Sequence, residues 1–187
     1  APEPAAAVPD QMTAWAHRPA GVAYIGGTSD EQAASILADA ARRLSAAGIP
    51  LHIAGDGPAA GAVRAVAETL PGVYFHGLVQ RTDRLGAILG RCRVGLALYD
   101  PDFPMFHFVD SLKTKDYLAA GLRVVTTLPG ASSDEAVVAT DFTAASVLDG
   151  VHRALYGDPF EAMSEHPSLL EAAGQLGDFV RALEARA

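Results

Sequence analysis

Residues 94–127, VGLALYDPDFPMFHFVDSLKTKDYLAAGLRVVTT, decide the fold class, because they combine two strand patterns with a helix pattern between them. The first six residues form a continuous apolar run, typical of a parallel strand that is buried on both faces. Asp110 or Ser111 can cap a helix that Gly121 ends, and Val124–Thr127 is a second short apolar run. A strand, a helix and a strand in this order predict a parallel βαβ unit.

The same alternation continues through the rest of the chain after a proline-rich opening. The apolar runs are short and are followed by glycine turns or helical patterns, as in parallel sheets. A capping box from Ser29 to Gln32 marks the start of the first helix. The sequence therefore predicts an α/β fold, a doubly wound, Rossmann-like parallel sheet of about six strands flanked by helices. The predicted strands are 21–25, 51–54, 73–75, 94–99, 124–127 and 136–139, and the predicted helices start near 29, 58, 82, 110, 144 and 168.

The composition is that of a single globular domain and excludes several classes of protein. Of the 187 residues 50% are hydrophobic, and the net charge is −8. Because a nucleic-acid binder needs a basic surface to neutralise phosphates, this charge argues against that class. Cys92 is the only cysteine, which excludes a disulfide framework and favours a cytoplasmic location. No apolar run reaches the roughly 20 residues of a membrane span. The spacing of His, Cys, Asp and Glu suggests no metal site, and we expect no cofactor.

Glycine turns follow the first three predicted strands, at Gly26-Gly27, at Gly55–Gly57 and at Gly77. Sheets of this kind bind ligands beyond the carboxyl ends of their strands. The start of the helix that carries Lys113 follows the fourth strand and belongs to the same edge. We therefore expect the three glycine turns and this lysine to converge on one ligand site.

Lys113 and Lys115 are the only lysines among 14 basic residues. Lys113 falls in the first turn of its predicted helix, where free N–H groups and the helix dipole attract an anion such as a diphosphate. Asp116 lies one turn further on the same face, at a distance that suits ribose hydroxyls. A solvated helix face or an i,i+3 ion pair would explain the same residues without a ligand. Lys115 lies about 200° round the helix from Lys113, so we expect it to face solvent or another domain.

The segment SLKTKDYLAAGLRVVTT, residues 111–127, resembles a motif of group 1 glycosyltransferases of the GT-B fold. That motif reads roughly S/P-L-K-x-x-E-Y-L-A-A-G-x-P-V-V-x-T and belongs to the C-terminal domain. The resemblance covers roughly residues 21–130, and both order and spacing agree. The other segments that resemble successive strands of that domain are AYIGG, LHIAGDGP, VYFHGLV and RCRVGLALYDP.

The resemblance implies a role for individual residues. Lys113 would contact the donor diphosphate, and Asp116 would hold the ribose. The backbone of the loop after the third strand would lie against the base. The other residues that it places at the diphosphate are Ser111, Gly26 and Gly27, the base-side loop is Gly77, Leu78 and Val79, and further candidates are His107, Asp110 and Lys115.

Four departures from the family pattern affect this interpretation. Asp116 stands where the family has the longer Glu, and Phe108 replaces the first acid of the E-x7-E pattern that many members carry. Gly27 and Thr28 stand where many members have Arg and Lys, and Arg123 replaces the usual Pro. The sequence therefore leaves retaining and inverting transfer both open.

The implied protein is one half of a GT-B glycosyltransferase, which moves a sugar from a UDP- or GDP-linked donor to an unknown acceptor. Residues 1–18 would be a linker or the start of an excised piece, and 19–187 the donor-binding domain. An N-terminal acceptor-binding domain would supply any catalytic base and any peripheral membrane association. We therefore expect this chain to bind a nucleoside diphosphate but to transfer no sugar alone.

Three alternatives remain open at this stage. A GT-B-fold nucleotide-sugar epimerase would share the donor contacts, and a non-catalytic module would keep only the nucleotide pocket. Residues 55–60, GDGPAA, also match the G-x-G-x-x-A pattern of dinucleotide-binding folds. The acidic residue that such folds place about 20 positions later is replaced by His76 and Gly77, which argues against NAD.

Overall fold

The computed structural model describes residues 15–29, 34–79, 82–103, 112–128 and 135–157. Within these residues, a short 3₁₀ helix, Trp15–His17, is followed by six strands and five helices, which alternate as far as β5. The strands are β1 Gly21–Ile25, β2 Leu51–Ala54, β3 Val73–Gly77, β4 Cys92–Ala97, β5 Arg123–Thr126 and β6 Val137–Ala139. The helices are α1 Ala34–Ala46, α2 Ala60–Thr69, α3 Thr82–Leu89, α4 Leu112–Ala119 and α5 Ala144–Tyr156.

The strands form one sheet in the order β3-β2-β1-β4-β5-β6, and every neighbouring pair is parallel. The chain winds outward from β1 to β3, returns to pair β4 with β1, and then winds outward on the other side. This order confirms the predicted doubly wound, Rossmann-like sheet of six strands. In the described parts of the chain, no helix is long and apolar enough to cross a membrane.

The element bounds differ from the sequence prediction by a few residues. The fourth strand ends at Ala97, because the Tyr99 amide bonds the Thr127 hydroxyl at 2.8 Å and makes no ladder bond. Helix α2 begins after Pro58 and not at it, since the Ala59 amide donates to the carbonyl of Thr28 in the neighbouring loop. The expected partner Gln32 of the capping box, and the predicted helix that starts near 168, lie outside the described residues.

Helices cover both faces of the sheet and form two apolar cores. One core joins the sheet to α1, α2 and α5, with Leu37, Val63 and Val151 as buried members. The other core joins it to α3 and α4, with Leu89 and Tyr117 as buried members. Both faces of the central strands are therefore buried, as the continuous apolar runs predict.

Tyr117 of α4 inserts between β1 and β4, where the strand order reverses. A Cβ on Gly95 would overlap the ring of Tyr117, so β4 needs a glycine there. The Tyr117 hydroxyl accepts a hydrogen bond from the Ile25 amide at 2.7 Å and donates one to the Leu96 carbonyl at 3.2 Å. This one side chain bridges the two strands beyond their last ladder pair and fixes α4 on the sheet.

At the amino ends of β4 and β5, the Trp15 ring lies between two guanidinium groups. The guanidinium carbons of Arg93 and Arg123 are 5.1 and 5.2 Å from its ring centroid, which is within cation–π range. Arg123 also donates to the Ala154 carbonyl near the end of α5 at 3.0 Å. These contacts give a structural reason for an arginine where the family pattern has proline.

We predict that Gly95→Ala lowers the free energy of unfolding by about 1–3 kcal/mol, because the new Cβ forces the Tyr117 ring off the sheet. Gly61→Ala in α2 is the matched control, since a Cβ there meets nothing within 4 Å. The control should stabilise the helix slightly. Urea denaturation of both variants measures the difference. Wild-type stability in Gly95→Ala would show that the ring position is not constrained by β4.

Candidate functional site

The glycine turns after β1, β2 and β3 touch one another through their backbones. Gly26 has a φ of +139° and donates its N–H to the Ala54 carbonyl at 3.0 Å. A Cβ on Gly55 would overlap the Gly26 carbonyl oxygen, and the Gly55 N–H donates to the Gly77 carbonyl at 2.8 Å. The convergence predicted for these turns is therefore present, and it depends on the absence of side chains at Gly26 and Gly55.

A second set of backbone contacts joins Thr28 to the loop before α2. The Thr28 amide donates to the Asp56 carbonyl at 3.0 Å, and the Thr28 carbonyl accepts from the Ala59 amide at 2.9 Å. Gly57 has a φ of +146°, and a Cβ there would lie 3.0 Å from the Thr28 nitrogen. Close loop packing therefore explains the second glycine of the G-x-G-x-x-A pattern. The Thr28 hydroxyl is buried and makes no hydrogen bond to the described residues.

Lys113, in the first turn of α4, brings its ammonium to the glycine turn after β1. Its ammonium nitrogen is 4.8 Å from the ring centroid of Tyr24, 4.9 Å from that of Tyr99, and 3.4 Å from the Tyr24 hydroxyl. A Cβ on Gly26 would overlap the end of the lysine side chain. Helix α4 begins at Leu112, so Lys113 lies in its first turn as predicted.

Burial sets the protonation of this group. Loss of hydration lowers the pKa of Lys113 from 10.5 to about 8. The faces of the two tyrosine rings offset part of that loss, because their π electrons attract a cation. Burial raises the pKa of the Tyr24 hydroxyl, with a smaller contribution from Tyr99. The site therefore holds a positive charge at neutral pH that a bound anion would stabilise further.

A pocket of about 270 Å³ opens beside the glycine turns. The lining combines the first two glycine turns with apolar residues, a composition that suits a ligand with both polar and apolar parts. The pocket contains the predicted site residues Gly26, Gly27, Leu78 and Val79. Its lining is Ile25, Gly26, Gly27, Ala54, Gly55, Asp56, Leu78, Val79 and Leu85.

The remaining predicted residues divide into two groups. Asp116 lies three positions after Lys113 on α4 and is exposed, and the loss of some hydration raises the pKa of its carboxyl. Lys115 is exposed. The other candidates, His107, Asp110 and Ser111, lie outside the described residues, as does the departure Phe108.

Sequence reasoning missed two features beside this site. Tyr24 and Tyr99 were expected only as apolar strand residues, although a tyrosine at the end of a buried strand signals a hydroxyl that needs a partner. His52 on β2 is buried, and its Nδ1 is 3.1 Å from Nε2 of His76, the residue before Gly77. Among the described residues, no group of three or more His, Cys, Asp or Glu could hold a metal ion.

A second pocket of about 460 Å³ lies beyond the carboxyl ends of β5 and β6. It includes Thr127, Thr140, Asp141 and Arg153, and no sequence pattern predicted it. The Arg153 guanidinium donates to the Ala139 carbonyl at 3.3 Å and so helps to join α5 to β6. The smaller pocket is lined by Gly26, Gly27 and Gly55, and the end of the Lys113 side chain lies beside Gly26, which makes that pocket the better candidate for an anionic ligand.

Several solved structures of glycosyltransferases share the fold of this chain. The catalytic domain of cholesterol-alpha-glucosyltransferase from Helicobacter pylori has a TM-score of 0.55 and 20% identity, covering 71% of this chain and 84% of that one. The C-terminal domain of a glycosyl transferase group 1 family protein (LpcC) from Francisella tularensis has a TM-score of 0.52 and 12% identity, covering 71% and 74%. S. aureus TarM, solved in complex with fondaparinux, alpha-GlcNAc-glycerol and UDP, has a TM-score of 0.56 and 12% identity, covering 74% of this chain and 29% of that one. At these identities the similarity shows the fold.

The sequence itself gives the family. Residues 19–170 match the family profile described as glycosyl transferases group 1, whereas no curated protein matches the chain. The matched range contains all six strands, the three glycine turns and α4. The profile match and the shared fold agree with the resemblance drawn from the SLKTKDYLAAG segment. This chain therefore belongs to the group 1 glycosyltransferases and has the fold of their GT-B C-terminal domain.

Proposed function

We propose that this chain is the donor-binding domain of a glycosyltransferase that moves a sugar from a UDP- or GDP-linked donor to an acceptor. The observation that carries the proposal is the Lys113 ammonium, which lies beside Gly26, a residue that lines the smaller pocket. Burial disfavours the charged form of Lys113 and lowers its pKa, so a dianionic ligand beside the ammonium would stabilise that charged form. The UDP bound to TarM supports this class of ligand.

The pocket suggests how each part of the donor would lie. The diphosphate would contact Lys113 and the backbone of Gly26 and Gly27, because glycines let phosphate oxygens approach the main chain. The base would lie against Leu78 and Val79, on the apolar side of the pocket. The ribose would reach Asp116, one helical turn from the lysine.

In the transfer itself, the bond between the sugar's anomeric carbon and the diphosphate oxygen breaks. The released nucleoside diphosphate takes up the negative charge, which Lys113 would stabilise electrostatically. The acceptor hydroxyl forms the new bond and loses its proton to a base. We place that base and the acceptor site on a separate N-terminal domain, and the transfer in the cytoplasm. In this scheme Lys113 supplies the charge, and no metal or cofactor takes part.

Nucleoside diphosphates should raise the melting temperature of this chain. A ligand at 100 times its dissociation constant adds about 2.7 kcal/mol to the free energy of unfolding. A thermal-shift comparison of UDP, GDP, TDP and ADP identifies the preferred base, with free uridine and guanosine as controls for the phosphate contribution. If none of the diphosphates raises the melting temperature, the proposed function is wrong.

Lys113→Met should weaken nucleoside-diphosphate binding and strengthen the fold. Loss of a charged hydrogen-bond donor costs about 1.5–3 kcal/mol, which corresponds to a roughly 10- to 150-fold weaker affinity. Because burial lowers the pKa of Lys113 from 10.5 to about 8, removing the charge should raise the free energy of unfolding at pH 7 by up to about 3 kcal/mol. Calorimetry and urea denaturation measure the two effects.

The exposed Lys115 provides the matched control, since Lys115→Met should change affinity by less than about 1 kcal/mol. The pH dependence gives a second check. Between pH 8 and 10.5 the unfolded wild type holds the additional proton on Lys113, so the contribution of this residue to stability should rise with pH. The stability advantage of Lys113→Met over the wild type should therefore shrink across this range. Equal losses of affinity in both variants would contradict the assignment of Lys113.

Asp116→Asn should weaken the binding of nucleoside diphosphates more than that of inorganic pyrophosphate. The proposal gives Asp116 to the ribose, and an amide replaces one acceptor oxygen with a donor. Titration of both ligands into the variant and the wild type measures the ratio of the two losses. If pyrophosphate and nucleotide lose affinity equally, Asp116 acts on the phosphate region and not on the sugar.

A further inference from the structure

The Tyr24 hydroxyl lies between two groups of the proposed phosphate site. It donates a hydrogen bond to the Gly27 carbonyl at 2.6 Å and accepts one from the Lys113 ammonium at 3.4 Å. A phenol has one proton and two lone pairs. Because the proton is engaged by Gly27, the lone pairs are left to face the cation, and the two contacts support each other.

The same hydroxyl fixes one peptide plane of the glycine turn. The Gly27–Thr28 peptide is held at its carbonyl by Tyr24 and at its N–H by the Asp56 carbonyl, at 3.0 Å. Gly27 itself lines the pocket, and its own amide donates no hydrogen bond within the described residues. An unpaired amide at a pocket wall is available to a ligand oxygen. The Tyr24 hydroxyl therefore contacts both the residue that carries this backbone donor, Gly27, and the Lys113 ammonium.

We infer that Tyr24 is a positioning residue that couples the first glycine turn to Lys113, so that amide and ammonium are arranged for a diphosphate before it binds. This inference rests on the proposed function. Tyr24 is fully buried in β1, which holds its ring in place. Its raised pKa keeps the hydroxyl protonated and able to donate to Gly27. Preorganisation of this kind improves affinity, because the ligand need not order the site.

A simpler interpretation makes Tyr24 a core residue whose hydroxyl only satisfies the Gly27 carbonyl. The two interpretations differ in what the hydroxyl does to Lys113. If it accepts a hydrogen bond from the ammonium, its removal disfavours the charged lysine and lowers the lysine pKa further below 8. A purely structural hydroxyl would change stability and leave the lysine titration unaltered.

Tyr24→Phe tests the inference, since it keeps the ring beneath Lys113 and removes only the hydroxyl. Tyr156→Phe makes the same chemical change at a tyrosine that is 65% exposed on α5, and is the control. We expect Tyr24→Phe to weaken the binding of UDP and of inorganic pyrophosphate alike, by about 2- to 10-fold. Tyr156→Phe should bind both ligands as the wild type does.

The titration of Lys113 provides a readout that needs no ligand. The chain has only two lysines, Lys113 and Lys115, so amine-reactive labelling followed by mass spectrometry resolves each of them as a function of pH. Lys115 is the internal reference for reagent reactivity. In Tyr24→Phe the labelling curve of Lys113 should shift to lower pH, whereas in Tyr156→Phe it should stay where it is in the wild type.

The outcomes separate the inference from the function on which it rests. If the wild type binds neither pyrophosphate nor any nucleoside diphosphate, the proposed function fails, and the labelling curve still tests the contact between Tyr24 and Lys113. If the wild type binds pyrophosphate but Tyr24→Phe changes only the melting temperature, the positioning role is wrong. A shifted labelling curve together with weakened pyrophosphate binding supports it.

Discussion

The contact between the Tyr117 ring and Gly95 determines where α4 can lie. At that point β4 must present bare backbone to the ring, and the phenol hydroxyl then satisfies Ile25 and Leu96 in a region where unpaired groups would be costly. Lys113 lies one helical turn earlier on the same helix. The position of the ammonium is therefore determined by an aromatic contact in the core.

The site is built largely from main-chain atoms in close contact, which explains why its turns contain glycine. Gly26 has to avoid Lys113, and Gly55 has to avoid the Gly26 carbonyl, so each turn limits the residue allowed in the next. The main-chain contacts cost little, since their hydrogen bonds are satisfied. The buried Lys113 is different, because a charge held away from water destabilises the folded chain, and a bound anion would offset that cost.

Much of the fold could be predicted from the sequence, because the spacing of apolar residues and the glycine and proline breaks between elements are local signals. The alternation of apolar runs with helical patterns predicts the six strands. The position of Lys113 in the first turn of its helix predicts that it lies at the same edge of the sheet as the glycine turns. The tyrosine contacts could not be predicted, because they depend on which strands become neighbours and where each side chain points. Tyr24 reads as an apolar strand residue in GVAYI, and its partner Lys113 is 89 positions away. The placement of Trp15 between Arg93 and Arg123 is non-local in the same way.

The strand order also has a consequence for synthesis on the ribosome. One edge of β1 pairs with β2, which follows it in the chain. The other edge pairs with β4, which lies about 70 residues after β1, so that edge stays unpaired until β4 is synthesised. At translation rates of about 5–20 residues per second, that edge stays open for roughly 4 to 14 seconds. An open apolar strand is a template for pairing with another chain. The nascent chain is thus exposed to such pairing until β4 emerges.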